Sequence, residues 1–197
     1  MKVAGLVLAA GGGTRLGRPK AEVVVGGHRL LDLAIESAVK AELSPVVVVL
    51  GAVWLTPMPP AERPDGGPAQ VLLVENPNWA TGIASSLQAG LAVLAADADI
   101  DAVVVTLVDT PCIGAEHLHR IGSALRGGAT AAVATYQGTA RTPVGLTRQV
   151  WADVATTVAE DQGARGWLRT HPHLVTGVEC ADLGAWTDID TPADLPE

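Results

Sequence analysis

The chain has 197 residues, 48% of them hydrophobic and 17% charged, which fits one α/β domain with a sizeable core. Thirteen Lys and Arg against twenty-one Asp and Glu leave a formal net charge of −8, which excludes general binding to a nucleic-acid backbone or docking on an anionic membrane. An anionic ligand must then be held by local features: main-chain N–H groups, a few cationic side chains, or a metal.

Residues 3–9 are apolar on both faces, as a central parallel strand should be. Residues 30–41 place Leu30, Leu31, Ala34, Ile35, Ala38 and Val39 at helical spacing. Strands are predicted at 46–50 and 71–74, and a helix over 83–96 with Leu87, Leu91 and Leu94 on one side. A fourth strand spans 102–108, and a helix over 115–126 stops at Gly127-Gly128. A fifth strand at 130–135, a helix at 150–158 and a late strand at 174–178 complete the series. The Pro- and Gly-rich run 56–68 reads as a surface loop, because strand–helix alternation resumes after it.

This alternation predicts an α/β fold with a doubly wound, mostly parallel sheet and helices on both faces. Function in such a sheet gathers beyond the carboxyl ends of the strands. The segments expected there are 10–20, 76–82, 108–114 and 136–145.

The first of these reads Ala10-Gly11-Gly12-Gly13-Thr14-Arg15-Leu16-Gly17-Arg18-Pro19-Lys20. Consecutive glycines let the backbone turn sharply and aim several N–H groups at one anion, and Arg15, Arg18 and Lys20 add positive charge. The P-loop fails because Arg18-Pro19 follows Gly17, and the dinucleotide fingerprint fails at Leu16. A flexible turn with solvated basic residues is the plainer alternative; the three cations tip the reading toward a triphosphate.

Asp109 ends the fourth strand, in Asp109-Thr110-Pro111, and Asp188 and Asp190 stand two apart late in the chain, on one side of an extended segment. One of them meeting Asp109 would make a Mg²⁺ site of one or two carboxylates completed by phosphates and water. Taken alone, Asp-Thr-Pro also starts turns, and Thr191 to Asp194 also caps a final helix.

Together these residues resemble a known family. The run from Leu8 and Ala9 through Lys20 is similar to the signature of the nucleotidyltransferases of molybdenum cofactor synthesis (the MobA-like and MocA-like NTP transferases). Their fold is the nucleotide-diphospho-sugar transferase type (GT-A, Rossmann-like). Asn76-Pro77-Asn78-Trp79-Ala80-Thr81-Gly82-Ile83-Ala84-Ser85-Ser86-Leu87, Asp109-Thr110-Pro111 and Asp188-Ile189-Asp190-Thr191-Pro192 resemble the branch called molybdenum cofactor cytidylyltransferase. The motifs span essentially the whole chain, read as a single domain over 1–197.

The resemblance implies a Mg²⁺-dependent transfer of CMP from CTP to the terminal phosphate of molybdopterin, with pyrophosphate released and a molybdoenzyme as recipient. Leu8, Ala9, Ala10, Gly11, Gly12, Gly13, Thr14, Arg15 and Lys20 would hold the triphosphate, with Asn76, Gly82, Ser85 and Ser86 near the nucleotide. Arg15, Lys20 and Asp109 would be catalytic. Asp109 would be the principal metal ligand and Asp188 or Asp190 the second. Leu-Ala-Ala-Gly at the loop's start goes with CTP in this family, Leu-Ala-Gly-Gly with GTP. Acceptor contacts would come from Thr110, Pro111, Arg141, Thr142, Pro143 and Arg165. Thr142 stands where the branch commonly has His, Glu160 replaces a Gly in the segment before Arg165, and Asp109-Thr110-Pro111 replaces a commoner Asp-Gln-Pro. Those departures keep open a related transferase using GTP, a phospholactate or a sugar phosphate. A non-catalytic chaperone handing cofactor to an enzyme is the alternative of another class.

Other residues read as structural. His117 and His119, like His171 and His173, lack metal-ligand spacing to further groups, and Cys112 and Cys180 are too few for a disulfide framework or zinc site. Trp54, Trp151, Trp167 and Trp186 are expected to pack, while Trp79 serves packing or a substrate loop equally well. No stretch reaches the ~20 apolar residues of a membrane span. Met1-Lys2-Val3 leads into a strand without a signal-peptide pattern, so a cytoplasmic protein is expected.

Overall fold

Six consecutive buried residues, Val3–Leu8, form β1, the strand about which the sheet is built. A computed structural model describes residues 1–58, 63–64, 66–157, 163–184 and 186–195. After β1 the chain makes a small hairpin, β2 (Val24–Val25) and β3 (His28–Arg29), then α1 (Leu30–Lys40). There follow β4 (Val46–Leu50), β5 (Val71–Glu75), α2 (Ile83–Ala95), β6 (Ala102–Leu107) and α3 (Ala115–Arg126). The rest comprises β7 (Ala131–Tyr136), β8 (Thr139–Thr147), α4 (Arg148–Thr157), α5 (Arg165–Thr170) and β9 (Val175–Glu179).

Among the described residues the main sheet has seven strands in the order β5-β4-β1-β6-β8-β7-β9. Pairs β1–β4, β4–β5, β1–β6 and β7–β9 are parallel, while β8 runs antiparallel to both neighbours. Alternate residues of β1 face two cores. Val3 and Val7 pack with Leu31 of α1 and Ile121 of α3, whereas Ala4, Leu6 and Leu8 pack with Leu87 of α2 and Val154 of α4. This is the doubly wound, mostly parallel sheet that the alternation predicts.

Two expectations change. Residues 136–145, expected as a loop, are mostly strand. Gln137 and Gly138 both take positive φ (52° and 79°), and Tyr136 pairs with Thr139. A two-residue turn of that kind folds a strand straight back on its predecessor. The register then jumps from Val133↔Val144 to Ala134↔Arg141, so Thr142 and Pro143 bulge out of the ladder. Trp54 does not pack; it is 56% exposed. The loop 56–68 and the segment 160–165 are only partly within the described residues.

Helix α2 lies close against β1 because position 90 is Gly. A Cβ there would stand 2.4 Å from Cδ1 of Leu6, which is fully buried. Gly90→Val is expected to destabilise the protein by about 1–3 kcal/mol, read as a lower denaturant midpoint at unchanged slope.

Candidate active site

Two cavities open side by side at the carboxyl edge of the parallel strands, on the α2 face of the sheet. The smaller, of about 290 Å³, is lined by Ala10, Gly11, Gly12, Gly13, Trp79, Gly82 and Ser86. The larger, of about 820 Å³, is walled by Leu87, Val105, Val133, Arg141, Thr142 and residues of α5. Leu8, Lys20, Ile83, Leu107 and Asp109 border both.

The glycine loop is shaped by one position above all. Gly13 has φ +61°, and a Cβ on it would lie 1.9 Å from the Arg18 carbonyl oxygen. Its own carbonyl accepts from the N–H groups of Leu16 and Gly17 at 2.9 and 2.8 Å, and buried Leu16 pins the turn. Ala9 does not reach either cavity; it faces the α1 core. Thr14 is exposed and lines neither.

The opposite wall comes from the segment before α2. Asn76 is buried, and its amide donates to Ser85 Oγ at 2.9 Å and Ser86 Oγ at 3.0 Å, while its Oδ1 accepts from Asn78 N–H at 2.9 Å. Ser85 Oγ in turn lies 3.0 Å from the Asn78 carbonyl and 2.9 Å from that of Gly82. Asn76 and Ser85 therefore face each other, not a cavity, and hold Gly82, Ser86 and Trp79 in the wall. Trp79 closes over the loop: a Cβ on Gly12 would stand 3.0 Å from its ring.

Between the cavities sits a charged centre. Lys20, in the 3₁₀ turn Lys20–Glu22, places Nζ 2.7 Å from Asp109 Oδ2 and 2.6 Å from Asp190 Oδ1. Arg15 adds a contact of 2.8 Å to Asp190 Oδ2. Burial pulls the Lys20 ammonium down, but the two carboxylates outweigh it and hold its pKa above the ordinary 10.5. Asp190 is held below the ordinary 3.8, first by its hydrogen bond from Lys20 and then by the charges of Lys20 and Arg15.

The distant acidic segment is fixed by its backbone. Ile189 N–H donates to the Asp109 carbonyl at 2.8 Å. Asp194 Oδ2 accepts from the N–H groups of Asp190 and Thr191 and from the Thr191 hydroxyl. Cys112 Sγ meets Thr187 N–H at 3.3 Å and its carbonyl at 3.2 Å. Asp190 thus joins Lys20 and Asp109, and Asp188 lines the larger cavity beside them.

Asp109 Oδ1 is buried without a hydrogen-bond partner. A buried carboxylate oxygen with no proton donor has the chemistry of a hard-cation ligand. Among the described residues no three His, Cys, Asp or Glu side chains converge as a metal cluster. The unpartnered Asp109 oxygen is the feature that fits a ligand of a divalent ion, while Lys20 Nζ stands between Asp109 and Asp190.

On the far side, Arg141, Thr142 and Arg165 line the larger cavity, as does Arg169, which sequence reasoning missed. Arg165 and Arg169 are four apart in α5, a spacing that could have flagged it. Trp186, expected only to pack, sits with its ring 4.9 Å from Arg141 Cζ and its Nε1 3.4 Å from Thr142 Oγ1. Thr110 and Pro111 lie elsewhere, over α1 beside Leu30 and Leu33, with the Thr110 hydroxyl on the Leu107 carbonyl at 3.0 Å. Pro143 is buried in β8 and lines neither cavity.

Residues 5–175 match the family model described as the MobA-like NTP transferase domain. Nicotine blue oxidoreductase of Paenarthrobacter nicotinovorans is 33% identical over 196 residues, covering 96% of this chain and 92% of that protein; its name records a redox activity for that protein. A crystal structure of a homologue of Mycobacterium tuberculosis Rv0371c, from Mycobacterium sp. strain JC1, has a TM-score of 0.76 at 28% identity, over 98% of this chain and 92% of the other. The 2-C-methyl-D-erythritol 4-phosphate cytidylyltransferase of Thermus thermophilus shares the fold, with a TM-score of 0.66 at 23% identity over 98% and 95% of the two chains.

The Lys20 centre carries a pH signature. The raised Lys20 contributes stability that is fully present below pH 10.5 and lost as pH rises through its folded value. The lowered Asp190 contributes stability present above 3.8 and lost as pH falls through its folded value. The stability difference between wild type and Lys20→Met, measured by denaturant unfolding across pH, is expected to be flat between those limits and to shrink beyond both. A difference that grows into alkali would contradict the assignment.

Proposed function

Because the chain belongs to the MobA-like NTP transferase family, we propose that it transfers CMP from CTP to the terminal phosphate of molybdopterin or its molybdenum-loaded form, releasing pyrophosphate. It is a nucleotidyltransferase; the finer reading concerns its two substrates, its metal and the molybdoenzyme that receives the product. The observation that carries the reading is the pair of cavities meeting at Lys20 and Asp109. A donor in one and an acceptor in the other have their reacting ends at a common border.

In this reading the glycine loop and Ser86 hold the nucleotide in the smaller cavity. The Ala10 methyl narrows it, which suits a pyrimidine. The acceptor phosphate is already anionic near neutral pH, so no strong general base is needed, and the protein's task is in-line positioning and charge neutralisation. Lys20, which borders both cavities, offsets charge on the departing pyrophosphate, while Arg15, expected on the triphosphate, lines the larger cavity and meets Asp190. Asp109 and Asp190, with Asp188 nearby, would hold Mg²⁺, which when bound polarises the α-phosphate. Asn76 and Ser85 act at one remove, by keeping the wall in place.

The test is pyrophosphate release from CTP, GTP, ATP and UTP in turn, with Mg²⁺ and molybdenum-loaded molybdopterin. CTP-selective release is expected; selectivity for GTP, or release only with another phosphorylated acceptor, would replace this reading with its sibling. A redox activity like that of the curated relative is favoured by the 33% identity and predicts no release with any triphosphate. Asp109→Ala is expected to abolish turnover while leaving the fold intact. Lys20→Ala should lower triphosphate affinity or rate at least about tenfold, ~1.4 kcal/mol.

A further inference from the structure

Two roles meet on the same oxygens. In the proposed reaction Asp109 and Asp190 hold a divalent ion, yet both face the Lys20 ammonium, at 2.7 Å from Asp109 Oδ2 and 2.6 Å from Asp190 Oδ1. An ammonium is a compact cation with three donors and no acceptor. The Lys20 and Asp109 side chains are only 16% and 18% exposed, so water and salt screen these charges poorly. A divalent ion on the same pair of oxygens would stand against a positive charge at contact distance. Lys20 and the metal are therefore alternatives there, and the oxygen that Lys20 leaves open, Asp109 Oδ1, is buried without a partner.

Lys20 has a second place to go. Its backbone N lies against the glycine loop: a Cβ on Gly13 would stand 3.4 Å from it. The side chain starts at that loop, ends between the carboxylates and lines both cavities. Among the described residues, Lys20 is the one basic side chain that lines the smaller cavity, and Asp109 the one acidic side chain. An anion cradled by the glycines therefore finds Lys20 as its charged partner. Asp190 is not stripped of cations when Lys20 turns away, because Arg15 holds its other oxygen at 2.8 Å.

We propose that Lys20 is the counter-ion that keeps the Asp109–Asp190 pair closed to a divalent cation until an anion in the smaller cavity draws the ammonium away. Lys20 then couples the two ligands. The anion frees the carboxylates for the cation, and by reciprocity the cation frees Lys20 for the anion. Metal and phosphate load together, and the protein without an anion holds metal weakly. This rests on Asp109 and Asp190 being the metal site of the proposed function, and not on which nucleotide or acceptor reacts.

The experiment needs no turnover. Free Mn²⁺ is followed by electron paramagnetic resonance as the metal is titrated into the intact protein, with and without inorganic phosphate. Lys20→Met is expected to bind Mn²⁺ at least about tenfold more tightly than wild type, within the usual range of coupling between linked ligands. Lys20→Arg should bind no more tightly than wild type. Lys2→Met, which removes the same charge from an exposed pair with Asp97, should change nothing, and Asp109→Asn added to Lys20→Met should cancel the gain. Phosphate should tighten Mn²⁺ binding more in wild type than in Lys20→Met. Equal affinity of Lys20→Met and wild type, a gain matched by Lys2→Met, or a gain that survives Asp109→Asn overturns the proposal. So does a wild type indifferent to phosphate, an arm that stands without any variant. Absence of Mn²⁺ binding throughout overturns the proposal together with the metal assignment beneath it. Failure of the CTP or molybdopterin reading shows in the pyrophosphate assay and leaves these titrations unchanged, so the two failures are told apart.

Discussion

One ammonium group, that of Lys20, ties together parts of the chain that nothing local would join. Its contacts to Asp109 and Asp190 link the loop after β1, the end of β6 and the acidic segment that follows β9. Each partner is costly to bury alone and tolerable together, because like charges on the two carboxylates are offset by the cation between them. The remaining geometry serves this meeting. Gly13 makes the turn that delivers Lys20, Asp194 and Cys112 hold the acidic segment, and Asp109 keeps one buried oxygen without a partner.

The two cavities inherit different construction. The smaller is made by short-range devices: a glycine turn, a ring laid across it, and an Asn–Ser–Ser set that braces the wall. The larger depends on a strand inserted against the direction of its neighbours, which Trp186 meets at Thr142, and on a short helix. Function lives in sites grafted on a fold, so two cavities built from separate elements can vary independently of one another.

Much of this was legible in the residues. Near-continuous apolar runs marked β1, β4 and β6, because strands buried on both faces have few polar positions to confuse the pattern. Lys20 stood out as positive charge close to a glycine run in an acidic protein, Asp109 as a carboxylate at a strand's carboxyl end, and Asp188 and Asp190 only as a pair between which the sequence did not choose. The antiparallel strand β8 escaped notice because Gln137-Gly138 is a weaker hairpin signal than Asn-Gly, and because Thr142-Pro143 interrupts the alternation. Thr110, Ala9, Asn76 and Ser85 carry motif positions yet point away from the cavities; spacing along a chain does not reveal which of two neighbours turns inward. Trp186 was missed for the complementary reason, since Thr142 lies 44 positions away and only packing brings the two together; Arg169 was missed although it stands four residues from Arg165 in the same helix.

Lys20 and Asp190 are separated by 170 positions along the chain. Contacts of such span form late, after the loop between them has been closed by the intervening strands and helices. During synthesis every element of the smaller cavity emerges before Asp190 does. The assembled charge centre therefore reports that the chain has been made and folded through to its acidic segment, and a polypeptide halted short of it would carry a cleft whose lysine has only one of its two carboxylates.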